Sequence, residues 1–137
     1  MPAKATAEWR GDLKSGSGTF TAGDTISGNF SFRSRFEDGP GANPEQLIGA
    51  ANAACFSMAL SHGLAQAGNP PDELKTSATV TFQPGEGITK IALTVAGKVP
   101  GIDADAFREA AEGAKANCPV SKALAGVPEI TLDAHLA

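Results

Sequence analysis

Apolar and polar positions alternate with period two in several short stretches, and fall at helical spacing in two longer ones. The stretches from Ala3 to Arg10 and from Gly16 to Ala22 each predict a short strand. Asn29 to Glu37 alternates most cleanly. Phe30, Phe32 and Phe36 share one face with Ser34, while Asn29, Ser31, Arg33, Arg35 and Glu37 share the other. This pattern predicts a third strand with Arg35 turned away from the phenylalanines. Glu37 to Gly41 (EDGPG) then has the composition of a turn.

Asn43-Pro44-Glu45-Gln46 opens a helix: Asn is a preferred N-cap, Pro is tolerated at the first helical position, and Gln46 stands where a capping box places Glu or Gln. The helix is expected to run from Pro44 to Ala67 and to stop at Gly68-Asn69-Pro70-Pro71. It is small-sided nearly all round, with Gly49, Ala50, Ala51, Ala53, Ala54 and Ala59. A helix without a polar face is expected to be buried. One small domain offers little to cover it, so it is expected to pack against a second copy of the chain.

Strands are predicted from Thr76 to Phe82 and from Ile88 to Val99, joined at Gln83–Gly87 as a hairpin, with Ile91, Leu93, Val95, Gly97 and Val99 on the inner face. Asp103 caps a second helix from Ala104 to Ala116, with Phe107, Ala110, Ala111 and Ala114 inward. Asn117-Cys118-Pro119 interrupts it, and Pro119 starts a short helix through Leu124 with Cys118 near its N-cap. Glu129 to Leu136 alternates as a last strand. The order β-β-β-α-β-β-α-β predicts an α+β fold on antiparallel sheets with two main helices, forming a single domain over residues 1–137.

Composition narrows the partners. The chain has 42% hydrophobic and 19% charged residues and a net charge of −4, which suits a globular domain. With no basic run, neither nucleic acid nor an anionic membrane is an expected partner. No unbroken stretch of about 20 apolar residues is present, so no membrane span is expected. Met1 to Gly11 is polar and does not read as a secretory signal. The expected location is the cytoplasm.

Two cysteines are too few for a disulfide scaffold. They leave three readings: inert core thiols, part of a metal site, or a redox pair. Local physics favours Cys118 as the reactive thiol, since a helix N-terminus stabilises a thiolate and Lys122 adds positive charge. Cys55 lies mid-helix among alanines, where burial alone raises a thiol pKa. It would need a cation from another element, and Arg35 or Arg33 could supply it.

Several segments carry a resemblance. Arg35-Phe36-Glu37, the run from Asn43 to Ala51 (NPEQLIGAA), the run from Ala54 to Leu60 (ACFSMAL), Ile88-Thr89-Lys90-Ile91, Val99-Pro100-Gly101-Ile102-Asp103 and Asn117-Cys118-Pro119-Val120-Ser121-Lys122 closely resemble the OsmC/Ohr family of organic hydroperoxide reductases. The likeness extends from Trp9-Arg10-Gly11 to Glu129-Ile130-Thr131-Leu132-Asp133, and the Cys-Pro-Val-Ser and Ile-Gly-Ala-Ala runs favour the OsmC branch. The resemblance implies an OsmC/Ohr-like α+β fold in an intertwined homodimer. It implies that Cys55 attacks the peroxide and becomes a sulfenic acid, and that Cys118 resolves it to a disulfide. Arg35 would hold the Cys55 thiolate, and Glu45 would hold Arg35 through a bidentate pair. No cofactor is implied beyond a thiol or dithiol reductant, which in the Ohr branch is a lipoyl group.

Glu45 and Cys55 stand ten residues apart on one helix, roughly 15 Å along its axis. The expectation is therefore a composite site, with Arg35 and Glu45 supplied by the partner subunit. Phe36, Leu47, Ile48, Phe56, Met58 and Phe107 are candidates to line an apolar substrate pocket. Other chemistries fit poorly. Cys55, His62, Cys118 and His135 lack metal-ligand spacing, His62 reads as a packed or interface residue, and neither Ser57 nor Ser121 sits in a G-x-S-x-G elbow. The glycines near Gly16 and Gly85 make no phosphate loop. The rival from another class is a non-catalytic module holding a hydrophobic ligand.

Overall fold

A computed structural model describes all residues, Met1–Ala137. Its contacts divide the chain into two compact units, Met1–Leu47 and Ile48–Ala137.

The first unit is a three-stranded antiparallel sheet in the order β1 (Ala5–Arg10), β2 (Ser17–Ala22) and β3 (Ile26–Phe30). Its aromatic face is built around Phe30, whose ring lies 5.4 Å from that of Trp9 and 6.3 Å from that of Phe20. Gly18 of β2 gives the Phe30 ring its place, since a Cβ there would stand 2.7 Å from the ring.

The expected strand from Asn29 to Glu37 is only half right. β3 ends at Phe30 and α1 (Phe32–Phe36) follows. The two serines decide this. Ser31 caps the helix by accepting from the Ser34 N–H, and Ser34 Oγ accepts in return from the Ser31 N–H at 2.8 Å, a reciprocal pairing that satisfies two free donors. The alternation of Phe32 and Phe36 is also an i,i+4 spacing, and their rings pack at 4.8 Å. Arg35 thus lies on a helix rather than a strand. It does not face away from the phenylalanines, because its guanidinium carbon is 5.5 Å from the Phe36 ring centre.

The second unit is a sheet of β4 (Glu73–Gln83), β5 (Gly87–Lys98) and β6 (Glu129–Leu136), with α2 (Pro44–Gln66) entering from the first unit, α3 (Ala104–Asn117) and α4 (Pro119–Ala123). β4 and β5 form the expected hairpin, with an irregularity at Thr81/Phe82. The two main helices and the α+β class are as expected. The expectation of antiparallel pairing fails at one strand, because β6 runs parallel to β5. The chain reaches it through α3 and α4, and a crossover of that length is what a parallel pair requires.

The alternation along β5 is visible in its burial: Ile91, Leu93, Val95 and Gly97 are buried and the residues between them are partly exposed. They meet Phe56, Leu60 and Leu64 of α2 and Phe107, Ala111 and Ala114 of α3 in one core cluster. Gly49 brings α2 close to β4, where a Cβ would stand 3.3 Å from Val80.

α2 begins as the sequence implies. Asn43 Oδ1 accepts from the Gln46 N–H at 2.8 Å, and Gln46 Oε1 accepts from the Asn43 N–H. It ends at Gly68 with φ +90°, where the Gly68 and Asn69 N–H groups donate to the Ala65 and Leu64 carbonyls. Within one chain α2 is covered on one side: Glu45, Gly49, Asn52, Phe56, Leu60 and Leu64 are covered, while Ala51, Ala54, Met58 and His62 are exposed, the side expected to meet a second copy. One expectation for α2 needs correction: its 23 residues are long and apolar enough to cross a membrane by length and composition, although no unbroken apolar run exists. Phe56, Leu60 and Leu64 place one side of it in the core of the second unit.

Candidate active site

The four residues singled out by the sequence fall into two pairs, one in each unit. In the first unit, Arg35 on α1 donates from Nε and Nη2 to Glu45 on the first turn of α2, at 3.1 and 2.7 Å. Both of these bonds reach Oε1. Glu45 is nearly buried and the Arg35 side chain is about a third exposed. The loop between them is fastened from both ends. Ser34 Oγ donates to the Ala42 carbonyl at 2.7 Å, Asn43 Nδ2 donates to the Ser34 carbonyl at 3.0 Å, and the Ala42 N–H donates to the Asn29 carbonyl at 2.8 Å. Gly41 has φ +114° there, and a Cβ would lie 2.8 Å from the Asn29 oxygen, so the turn requires glycine. Beside Arg35 is a cavity of 270 Å³ lined mainly by Trp9, Leu13, Phe30, Phe32 and Phe36.

In the second unit, Cys55 on α2 and Cys118 lie side by side, close enough that each shifts the other's acidity, and both are free thiols. Cys118 closes α3 and caps α4, where its sulfur accepts from the Ser121 N–H at 3.5 Å. Cys118 is fully buried, whereas Cys55 is half-buried. Their contact separates their acidities. Cys55 is held above the ordinary thiol value of 9.0, chiefly by its interaction with Cys118. Burial pushes Cys118 up, but interaction with Cys55 and with the Ser121 and Val120 N–H groups outweighs it and brings Cys118 below 9.0. In the isolated pair, negative charge therefore settles on Cys118 first, as its cap position implies.

A family model described as OsmC-like protein matches residues 37–133. The peroxiredoxin OsmC of Escherichia coli (strain K12) is 48% identical to this chain, over 97% of the chain and 95% of the relative. The chain belongs to the OsmC-like family. The organic hydroperoxide resistance protein OhrB of Bacillus subtilis is 32% identical over 68% of this OsmC-like chain and 69% of the relative. Its crystal structure aligns with a TM-score of 0.70 over 100% of this chain and 98% of that one, at 28% identity. An organic hydroperoxide resistance protein OsmC from Legionella pneumophila shares the fold, with a TM-score of 0.73, 22% identity and 96% of each chain covered.

Of the residues expected to line a substrate pocket in this OsmC-like chain, only Phe36 borders the cavity beside Arg35. Phe56 and Phe107 are wholly buried core residues, and Phe107 fills the space left by Gly97, where a Cβ would stand 2.6 Å from its ring. His62 is exposed rather than packed. Two further polar residues, Asn52 and Ser121, lie buried beside the thiols, with Ser121 Oγ donating to Asn52 Oδ1 at 3.0 Å. The sequence does contain their signal: Asn52 and Ser121 each stand three residues from a cysteine, and Asn52 interrupts an apolar run. In the sequence Ser121 draws notice as part of the Cys-Pro-Val-Ser run and as a nucleophile that fits no elbow, but not as a partner of Asn52.

Proposed function

We propose that this chain reduces organic hydroperoxides to alcohols, with Cys55 as the attacking thiol and Cys118 as the resolving thiol. It is an enzyme of the thiol-dependent peroxidase class, the class named by its E. coli relative. The observation that carries the reading is the adjacent Cys55 and Cys118 thiols, one reachable and the other fully buried. Acidity favours Cys118, but a peroxide cannot reach a sulfur with no exposed surface, so access decides for Cys55.

The Cys55 thiolate attacks the terminal peroxide oxygen. The O–O bond breaks, the alkoxide leaves and takes a proton as alcohol, and Cys55 becomes a sulfenic acid. The Cys118 thiolate then attacks the Cys55 sulfur, the S–O bond breaks, and hydroxide leaves as water on protonation. Two thiols have lost two electrons to the hydroperoxide, and an external thiol or dithiol, a lipoyl group being one candidate, returns them.

Arg35 is the cation that stabilises a Cys55 thiolate and polarises the peroxide, and Glu45 holds it in place. The helical separation of Glu45 and Cys55 supports a composite site, in which a partner subunit supplies Arg35 and Glu45. The exposed stripe Ala51, Ala54 and Met58 on α2, with Met58 74% exposed, supports a homodimer. Residues 1–137 then form one OsmC-like domain, supported by the near-complete overlap with the E. coli relative. A chain with two cysteines and no disulfide scaffold fits the cytoplasm.

The apolar cavity beside Arg35 favours one rival, a module that holds a hydrophobic ligand without reacting. Thiol counting separates the two. One equivalent of an alkyl hydroperoxide is expected to remove two free thiols per chain, and none in Cys55→Ser. No loss from the wild type leaves only the binder.

A further inference from the structure

The thiol pair has a second, parallel attachment. Asn52 and Cys55 stand three residues apart on α2, and Cys118 and Ser121 three apart at α4. The two elements meet by matched contacts, Asn52 with Ser121 and Cys55 with Cys118. Ser121 ties the contacts together, because its N–H donates to the Cys118 sulfur while its hydroxyl donates to Asn52.

Asn52 is fully buried, and its Nδ2 has no hydrogen-bond partner in the protein. A buried polar side chain needs a hydrogen-bond partner, whereas Phe56, Leu60 and Leu64 on the same helix need none. Asn52 finds its partner in Ser121, 69 positions away in sequence, and so fixes α2 against the segment that carries Cys118.

We propose that Asn52 is a positioning residue for disulfide closure: through Ser121 it holds Cys118 in line with the Cys55 sulfur. This rests on the two-thiol reading above. Closure brings the two sulfurs from non-bonded contact to about 2.05 Å, with the attacking sulfur aligned on the S–O bond. A misplacement of about 1 Å can cost up to about 100-fold in such a step. Sulfenic acid formation needs only Cys55 and its cation, so Asn52 acts on the second step alone.

The test follows the two steps separately in the full chain. Reduced protein is mixed with one equivalent of an alkyl hydroperoxide, and sulfenic acid, disulfide and sulfinic acid are counted by mass spectrometry after timed trapping. Asn52→Leu is expected to form sulfenic acid within about twofold of the wild-type rate but to close the disulfide at least about tenfold more slowly. Excess hydroperoxide then drives more Cys55 to sulfinic acid, with Cys118→Ser marking the upper limit. Ser121→Ala is expected to act in the same direction, and the double variant to be no slower than the slower single one, since both remove one bond. Wild-type closure in Asn52→Leu, or equal slowing of both steps, overturns the proposal. Should Asn52→Leu fail to fold, Ser121→Ala decides alone, and wild-type closure there overturns it. A wild-type protein that loses no thiols would instead remove the two-thiol reading itself.

Discussion

Cys55 and Cys118 lie against each other, and that contact pushes their acidities apart: Cys55 is raised and Cys118 lowered about the ordinary value of 9.0. The sign has consequences for folding. Cys118 gives up its proton more readily folded than unfolded, so its contribution to stability is present above the unfolded thiol pKa and is lost as pH falls through its lowered value. Cys55 does the reverse. Its contribution is present below the unfolded pKa and is lost as pH rises through its raised value.

Replacing Cys118 by Ala removes the main cause of the Cys55 shift. The Cys55 titration is therefore expected to move down toward 9.0, as read from ultraviolet thiolate absorbance against pH in the single-cysteine protein. An unchanged or higher Cys55 pKa would show that the mutual contact is not what holds it up.

Arg35→Ala is expected to slow peroxide reduction by about tenfold or more, because each unit of thiol pKa is about 1.4 kcal/mol. The acid limb of the pH–rate profile should move to higher pH with it. Glu45→Gln should weaken the effect in the same direction, since it leaves Arg35 with a neutral acceptor. A profile that stays in place in Arg35→Ala would mean that some other group stabilises the thiolate.

The stripe Ala51, Ala54 and Met58 leads to a test of assembly. Sedimentation equilibrium is expected to give twice the chain mass for the wild type and the single mass for Met58→Lys, because a charge buried without a partner costs several kcal/mol. If Met58→Lys remains a dimer, the interface lies elsewhere.

Gly97→Ala tests the core of the second unit. Its Cβ would stand 2.6 Å from the ring of Phe107, which is wholly buried and has nowhere to retreat. Overpacking of this kind costs about 1–3 kcal/mol, so the urea midpoint should fall. An unchanged midpoint would mean that the ring and β5 can separate freely.

Helix starts, helix stops and the β5 alternation were legible in the sequence, since each is set by residues within a few positions of one another: Asn43 with Gln46, Gly68 with Ala65, Asp103 with Ala106. α1 was misread because a phenylalanine spacing of four satisfies both a strand face and a helix face. Only the Ser31–Ser34 pairing separates the two.

By itself the sequence determined the α+β element order, the two thiols, the Arg35 and Glu45 side chains and the likeness to the OsmC branch. Tertiary structure alone decided that β6 runs parallel to β5, that α2 is covered on one side only, and that Asn52 and Ser121 meet beside the thiols. The physical reason is range. Caps and alternation are satisfied by near neighbours, whereas strand direction, burial and a bond spanning 69 residues depend on where distant segments come to lie.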